Sequence, residues 1–268
     1  MFRQTSKPVA GALAAAALAG PAATAPEATK ALFEAIGRWD RPAVETLLKR
    51  DPSLAGAQRP DGRTAVMVAA YRIEHDQFVA PRENDVLQAV LARKPRLSFF
   101  EACLVGDAGE VTRQLDKEPT LAVSWSPIGW SALHFAAFSG DTTSVQLLLA
   151  RGADINTHAK NKFRNSPLQV ALLPGHYEAA KLLLERGADV LVRQGEGFAP
   201  IHEAALLGRQ DLVDLLLAHN AEINARTNDG RTPLTEALRG GHKELAEYLK
   251  TKGGKGGEIT ADLTASPE

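Results

Sequence analysis

Apolar residues return at a fixed spacing along most of the chain, and this spacing predicts a repeated helical unit. The first core position of each unit recurs about every 33 residues, at Leu32, Val66, Phe99, Leu133, Leu168, Ile201 and Leu234. A second apolar stretch with helical periodicity follows, as in residues 145–149 and 212–217. A constant period of this length indicates that neighbouring units stack and bury one another's apolar faces.

Short polar signals predict where the helices of each unit begin and end. Ser166-Pro167 and Thr232-Pro233 place a hydroxyl at the N-cap and a proline at the first helical position, where no amide donor is lost. Glycine recurs after the first helix, where a tight turn requires positive φ, at Gly140, Gly175, Gly208 and Gly241. We therefore predict a helix, a turn, a second helix and a projecting hairpin in each unit.

These motifs resemble the ankyrin repeat. The resemblance rests on Gly-Phe-Ala-Pro-Ile-His-Glu-Ala-Ala at 197–205, Gly-Arg-Thr-Pro-Leu-Thr-Glu-Ala-Leu at 230–238 and the Gly-Ala-Asp segments within 151–156 and 186–190. It covers residues 28–252 and implies an all-α solenoid of about seven helix-turn-helix repeats with short β-hairpin or loop fingers. The predicted repeats lie near residues 28–60, 61–94, 95–125, 126–159, 160–193, 194–226 and 227–252.

The early repeats and the C-terminus depart from this pattern. Trp39 stands where the first repeat should have its turn glycine. The second helix of repeat two begins near Val86, about eight residues late, so residues 73–84 are predicted to form an exposed inserted loop. The glycine-rich sequence after Lys252 predicts a flexible tail over residues 253–268.

The N-terminal 25 residues have the three-part pattern of a secretory signal peptide. Arg3 and Lys7 precede an alanine-rich apolar run over residues 9–19, and small residues lead to Pro26. Cleavage is expected after Ala19 or Ala25, and the mature protein is then periplasmic or secreted. The alternative is an alanine-rich linker or N-terminal helix on a cytoplasmic protein.

Composition excludes several classes of protein. Hydrophobic residues make up 44% and charged residues 24%, which excludes disorder of the whole chain. The 31 basic and 32 acidic residues nearly cancel, so no global charge attracts nucleic acid. No apolar run reaches the roughly 18 residues of a spanning helix, so we expect no membrane insertion.

The residues that could carry chemistry fall at structural positions of the repeat. Cys103, the single cysteine, aligns with small buried alanines and is expected to be an inert thiol. His134 and His202 occupy the position at which the ankyrin pattern has a histidine that links adjacent repeats. His202-Glu203 begins like a zinc-protease motif, but Leu206 replaces the second histidine. We expect no cofactor, no metal and no enzymatic activity, unless an unrecognised site lies within residues 73–84.

What remains is recognition of a protein partner by the exposed groove and hairpin tips. Aromatic and arginine side chains carry much of the binding energy in protein interfaces. Offsets from the anchors select such residues, with Lys160 beside them, as candidate partner contacts: Trp125, Ile128, Trp130, Phe138, Lys162, Phe163, Arg193, Phe198, Arg226, Arg231 and Arg239. The alternative is that some of them, above all Trp130, Phe163 and Phe198, pack only within the scaffold. We expect a monomeric, non-catalytic binding module, or alternatively a secreted or host-directed regulator.

Overall fold

A computed structural model describes residues 25–70 and 84–257, and these form two compact units. The first unit ends at Arg96 and the second begins at Leu97. The predicted signal peptide, apart from Ala25, lies outside the described residues, as do residues 258–268 of the predicted tail. Of the predicted inserted loop, only Asn84 is described.

The described residues of the first unit contain four α-helices, α1 (Ala25–Gly37), α2 (Arg41–Arg50), α3 (Ala65–Ala70) and α4 (Asp85–Leu91). Helix α1 packs on α2 and α3, and α4 packs on α2 and α3. In place of a Gly-Ala-Asp segment, a 3-10 helix over Pro52–Gly56 follows α2. Two helix pairs therefore account for the described residues of this unit.

The first unit corrects one prediction and explains another departure from the pattern. Asn84, predicted to lie in the exposed loop, is instead the buried N-cap of α4. Its Oδ1 accepts a hydrogen bond from Leu87 N at 2.8 Å, and its Nδ2 donates to Ala69 O at 2.6 Å. Trp39 replaces the turn glycine at φ 59°, so the turn keeps its left-handed conformation without a glycine.

Residues 97–257 of the second unit contain five helix pairs, in each of which a shorter first helix is followed by a longer second helix. The first helices of neighbouring pairs pack side by side. The second helices of the first four pairs also pack side by side, and within every pair the first helix packs on the second. The pairs are α5 (Phe99–Val105) with α6 (Ala108–Lys117), α7 (Ala132–Ser139) with α8 (Thr142–Ala150), α9 (Pro167–Leu172) with α10 (Tyr177–Glu185), α11 (Pro200–Leu206) with α12 (Gln210–Ala218), and α13 (Pro233–Arg239) with α14 (Lys243–Thr251).

The predicted caps and turns explain where these helices begin and end. Ser166 Oγ accepts from Gln169 N at 3.3 Å, and Gln169 Oε1 accepts from Ser166 N at 3.1 Å, which forms a capping box before Pro167. The glycines predicted to close the turns all have φ between 70° and 80°: Gly140, Gly175, Gly208 and Gly241. Every residue of α7 is buried, because helices of both neighbouring repeats cover it.

Buried histidines connect each of two repeats to the next, as predicted. His134 Nδ1 accepts from Ser131 N at 3.2 Å, while its Nε2 contacts Asn165 O of the following repeat at 3.0 Å. His202 repeats this arrangement: its Nε2 lies 3.2 Å from Arg231 O of the following repeat, and also 3.0 Å from Ala225 O at the end of its own repeat. Because each Nδ1 accepts a backbone N–H, each Nε2 carries the proton and donates it across the repeat boundary.

A second set of hydrogen bonds joins the turn between the two helices of one repeat to the preceding repeat. His176, Arg209 and His242 occupy the same position in successive repeats and reach back to a carbonyl of the preceding one. Their ring or guanidinium nitrogens lie 3.0 Å from Phe138 O, Gly175 O and Leu206 O respectively. These bonds satisfy carbonyls at helix ends that would otherwise have no intrahelical partner.

The projecting fingers are tight turns joined edge to edge. Within the described residues they contain no strands, only the isolated bridges Gln58–Thr64 and Trp125–Ser131. Backbone hydrogen bonds join successive tips, from Lys160 N to Gly129 O at 2.7 Å, from Gly195 N to Phe163 O at 2.8 Å and from Asn228 N to Glu196 O at 3.1 Å. Residues exposed on neighbouring tips therefore share one edge of the unit.

The segment after α14 continues the stack instead of leaving it. Asn224 receives a hydrogen bond from Lys255 N at 2.7 Å and donates to Gly253 O at 3.1 Å. Asn156 makes the same two contacts with Asp189 N and Gly187 O. Residues 253–257 thus follow the path of a further hairpin. The tail predicted to start at residue 253 starts no earlier than residue 258.

The close approach of the tips makes Gly129→Ala more damaging than Gly152→Ala. Both glycines have positive φ, 80° and 90°, so both substitutions carry backbone strain of about 1 kcal/mol. A Cβ at Gly129 would lie 2.8 Å from the Lys160 carbonyl, whereas a Cβ at Gly152 meets nothing within 4 Å. We expect Gly129→Ala to lose about 1–3 kcal/mol more in urea unfolding monitored by circular dichroism. Equal losses would contradict the crowding.

Candidate protein-binding surface

Three residues predicted to contact a partner lie in the core, and for these the prediction is wrong. Trp130, Phe138 and Phe198 are 4%, 1% and 7% exposed. Trp130 packs edge-on against Phe135, with ring centroids 5.2 Å apart, and also packs against Phe138. These side chains fill space inside the repeats, so no partner can reach them.

Two of the arginines that were predicted to contact a partner form ion pairs with a buried carboxylate. Glu236 is fully buried in α13, and Arg231 Nη1 and Arg239 Nη2 lie 3.0 and 2.7 Å from its two oxygens. Arg231 is also paired with Asp229 at 2.7 Å. Because removal of one partner leaves a buried charge uncompensated, both arginines serve the stability of the last repeat. The Arg231 side chain is mostly buried by these contacts, whereas half of the Arg239 side chain is exposed, so Arg239 stays a predicted partner contact.

The other predicted contacts remain available. Ile128 and Phe163 are 42% and 47% exposed, and Trp125 is half-buried beneath the Lys160 ammonium, which lies 3.9 Å from its ring centre. Exposed basic side chains stand beside them. We call the following set the tip surface: Trp125, Ile128, Lys160, Lys162, Phe163, Arg164, Arg193 and Arg226.

The tip surface carries positive charge that the described residues do not neutralise. Lys160, Lys162, Arg164 and Arg226 form no ion pair with any acidic side chain of residues 25–70 or 84–257. Arg193 is different, because its Nη2 lies 3.6 Å from Glu222 and its Nη1 donates to Arg226 O at 2.5 Å. The excess charge is concentrated on the finger that contains residues 160–164.

The backbone holds this finger in a fixed shape. Asn161 Oδ1 accepts from Phe163 N at 3.1 Å and from Arg164 N at 3.3 Å. Phe163 O accepts from Gly195 N of the next finger. Arg164 has φ 56° and takes the register of glycines such as Gly129 in the other repeats. Sequence reasoning missed Arg164 because this position is normally glycine. A fixed loop loses little entropy on binding.

The buried titratable groups are built for packing. Cys103 is fully buried, and burial raises the pKa of its thiol, so the nucleophilic thiolate is suppressed. Burial lowers the pKa of His134 to about 4 and also lowers the pKa of His202. The Nε2 of each histidine is occupied by a carbonyl of the next repeat. Across the described ranges, no cluster of His, Cys, Asp and Glu side chains could hold a metal ion.

Sequence reasoning did not identify a groove in the first unit. It has a volume of about 1130 Å³ and lies between α1 and the finger at residues 58–60. Phe33 and Arg59 line it, with the guanidinium 5.8 Å from the ring centre. The sequence did contain a signal, because Phe33 takes the register of His134 and His202, so an apolar ring stands where those repeats have a linking histidine.

No helix in the described ranges is long and apolar enough to cross a membrane. A stack of helix pairs with projecting fingers defines a repeat protein whose exposed edge is available for binding. Two family models describe the same class. A model of three ankyrin repeats matches residues 99–194, and a second ankyrin-repeat model matches residues 201–249, just over half of the chain together. The chain belongs to the ankyrin-repeat proteins, and the predicted all-α repeat fold is confirmed.

Known proteins with similar repeats differ widely from one another. The chain is 36% identical over 84 residues to a transient receptor potential cation channel subfamily A member 1 homolog of Caenorhabditis elegans, covering 31% of this chain and 7% of that protein. It is 29% identical over 114 residues to target of rapamycin complex 2 subunit AVO2 of Saccharomyces cerevisiae, covering 42% and 27%. It is 37% identical over 82 residues to the human NAD-capped RNA hydrolase NUDT12, covering 31% and 17%. The chain thus spans less than a third of each relative.

Glu203 provides a test of the electrostatics beneath this surface. It is buried in α11, and its Oε2 has no hydrogen-bond partner among the described residues. Burial raises the pKa of its carboxyl well above the ordinary value. The native state therefore holds a proton that the unfolded chain releases. This contribution to stability is complete below the unfolded pKa of about 4.3 and is lost as pH rises towards the folded pKa.

Glu203→Gln keeps the side chain neutral, so we expect it to remove this pH dependence. Relative to the variant, the unmodified protein should lose about 1.4 kcal/mol per pH unit above about pH 5, up to the folded pKa, in urea unfolding. Glu236→Gln is the matched control at the same register in the next repeat. It should be destabilised by more than about 1 kcal/mol at neutral pH, because it removes the buried carboxylate that Arg231 and Arg239 share. A parallel response of the two variants would contradict the account.

Proposed function

We propose that this protein is a monomeric, non-catalytic binding module whose tip surface holds an acidic, partly apolar segment of a protein partner. Ankyrin repeats generally mediate protein–protein interaction, and that is the class of function the fold supports. The observation that carries the proposal is the exposed Phe163 between Lys162 and Arg164, on a finger fixed by its neighbours.

The exposed groups of the tip surface indicate the chemistry of the partner. Its exposed apolar groups, Ile128 and Phe163, favour an aliphatic or aromatic side chain. The cations at Lys162, Arg164 and Arg226 favour carboxylates, which would steer the encounter and select the partner's orientation. Each of these side chains is exposed, and the three cations form no ion pair in the part of the chain that the structure describes. Within the scaffold, the Lys162 ammonium lies 4.9 Å from the Phe163 ring centre, and Arg226 Nη1 donates to Gly230 O at 3.4 Å.

Reversal of the three cations should abolish binding without unfolding the protein. The variant carries Lys162→Glu, Arg164→Glu and Arg226→Glu, and it is tested against peptides selected with the unmodified full chain from a randomised display library. We expect the selected peptides to be rich in Asp and Glu beside one large apolar residue. Their affinity for the variant should fall by more than about tenfold, equivalent to about 1.4 kcal/mol.

The matched control makes the same change in net charge on the second helices. It carries Lys49→Glu, Lys117→Glu and Lys243→Glu, which are exposed and distant in register from the tips. The control should bind the peptides with unchanged affinity, and both variants should retain the circular dichroism of the unmodified chain. The proposal fails if the peptides show no acidic preference or bind the tip variant as well as the control.

We further propose that the protein is exported to a bacterial periplasm. The N-terminal pattern of Arg3, Lys7 and the apolar run over residues 9–19 supports this location. Cleavage after Ala19 would leave α1 whole, and cleavage after Ala25 would remove one residue of it. The leader can therefore be removed without disturbing the described core. A secreted or host-directed regulator is the alternative destination of the same exported chain.

The position of the mature N-terminus tests export directly. Protein isolated from a periplasmic extract should begin between residues 20 and 26, as read by mass spectrometry of its N-terminal peptide. The same mature terminus in the culture medium would support the secreted alternative. An intact Met1 in the cytosolic fraction would contradict both destinations.

A further inference from the structure

The described chain ends at the tip surface. Gly257 N donates to Thr235 Oγ1 at 3.0 Å, and the backbone of Gly257 abuts Gly230 O in the finger of the last repeat. Thr232 Oγ1 donates to Lys255 O at 2.7 Å and fixes the preceding residues. Residue 258 therefore begins beside the finger that carries Arg226.

The residues that follow have the charge opposite to that of the tip surface. Residues 258–268 contain Glu258, Asp262 and Glu268 and no basic residue. They also contain the apolar residues Ile259 and Leu263. This is the composition, acidic with isolated apolar side chains, that the tip surface suits.

The segment is long enough to reach the most basic finger. Residues 258–268 span at most about 36–40 Å when extended. Helices in contact lie about 8–10 Å apart, so the fingers of repeats five and seven are separated by roughly 20 Å. Both Arg226 and the cluster at Lys162 and Arg164 lie within this reach.

We propose that the acidic segment 258–268 lies back across the tip surface of its own chain, where its carboxylates pair with Arg226, Lys162 and Arg164. Each exposed ion pair is weak by itself. Because the segment is joined to Gly257, however, its effective concentration at the surface is about millimolar, and weak contacts suffice to populate the bound state. The segment then competes with any acidic partner and raises the affinity that a partner needs.

A spin label on the segment tests this directly in the full chain. Ser266→Cys introduces the labelling site, and Cys103 does not interfere because it is fully buried and its thiol has a raised pKa. At low salt we expect the label to broaden the amide resonances of residues 162–164, which lie two fingers away from the point where the segment begins. Ionic strength of about 1 M shortens the screening length to about 3 Å and should restore these resonances.

The matched variant adds Glu258→Lys, Asp262→Lys and Glu268→Lys to the labelled chain, and it should show no broadening at residues 162–164. Equal broadening in both chains, or none in the acidic chain, would overturn the proposal. Isotope-labelled protein without a spin label, mixed with spin-labelled protein, tests a second copy as the donor of the segment. Broadening that appears in this mixture would assign the contact to that copy and likewise overturn the proposal. Because this experiment contains no partner, a result that overturns the proposal about the segment does not contradict the proposed function.

Discussion

The hydrogen bond from a buried histidine to a carbonyl of the next repeat is the interaction on which the second unit depends. His202 has no exposed surface, and its Nε2 contacts Arg231 O in the following repeat and Ala225 O at the boundary between the two repeats. A buried polar nitrogen without that acceptor would be unfavourable by about 1–3 kcal/mol. Each repeat therefore depends on its neighbour both for hydrogen-bond partners of buried polar groups and for the burial of apolar surface.

Because neighbouring repeats bury one another's polar and apolar groups, only a small part of the surface is left for binding a partner. Aromatic side chains such as Trp130 and Phe198 are buried in the core, and Arg231 and Arg239 form ion pairs with Glu236. The contacts between tips require the backbone to approach closely, so the fingers form one continuous edge. Side chains that serve neither purpose lie along that edge, and they are the basic and apolar residues of the tip surface.

The repeat period, the helix caps and the turn glycines could be predicted from the sequence because each depends on local residue types at fixed offsets. The exposure of large side chains could not. Offsets from the anchors selected both Phe163, which is exposed, and Phe138, which turns inward because Trp130 and neighbouring helices cover it. Arg239 and Glu236 are an i, i+3 pair that the sequence displays, whereas the pairing of Arg231 with Glu236 depends on how the finger folds back on α13.

Native-state hydrogen exchange of His202→Ala tests most directly whether adjacent repeats stabilise one another in pairs. We expect the free energy of opening to fall for amides of α11 and α13, on the two sides of the lost bond. Amides of α5, three repeats away from α11 in the stack, should keep their protection, since nearest-neighbour coupling weakens with distance along the stack. An equal loss of protection throughout residues 97–257 would instead indicate a single cooperative core and contradict this account.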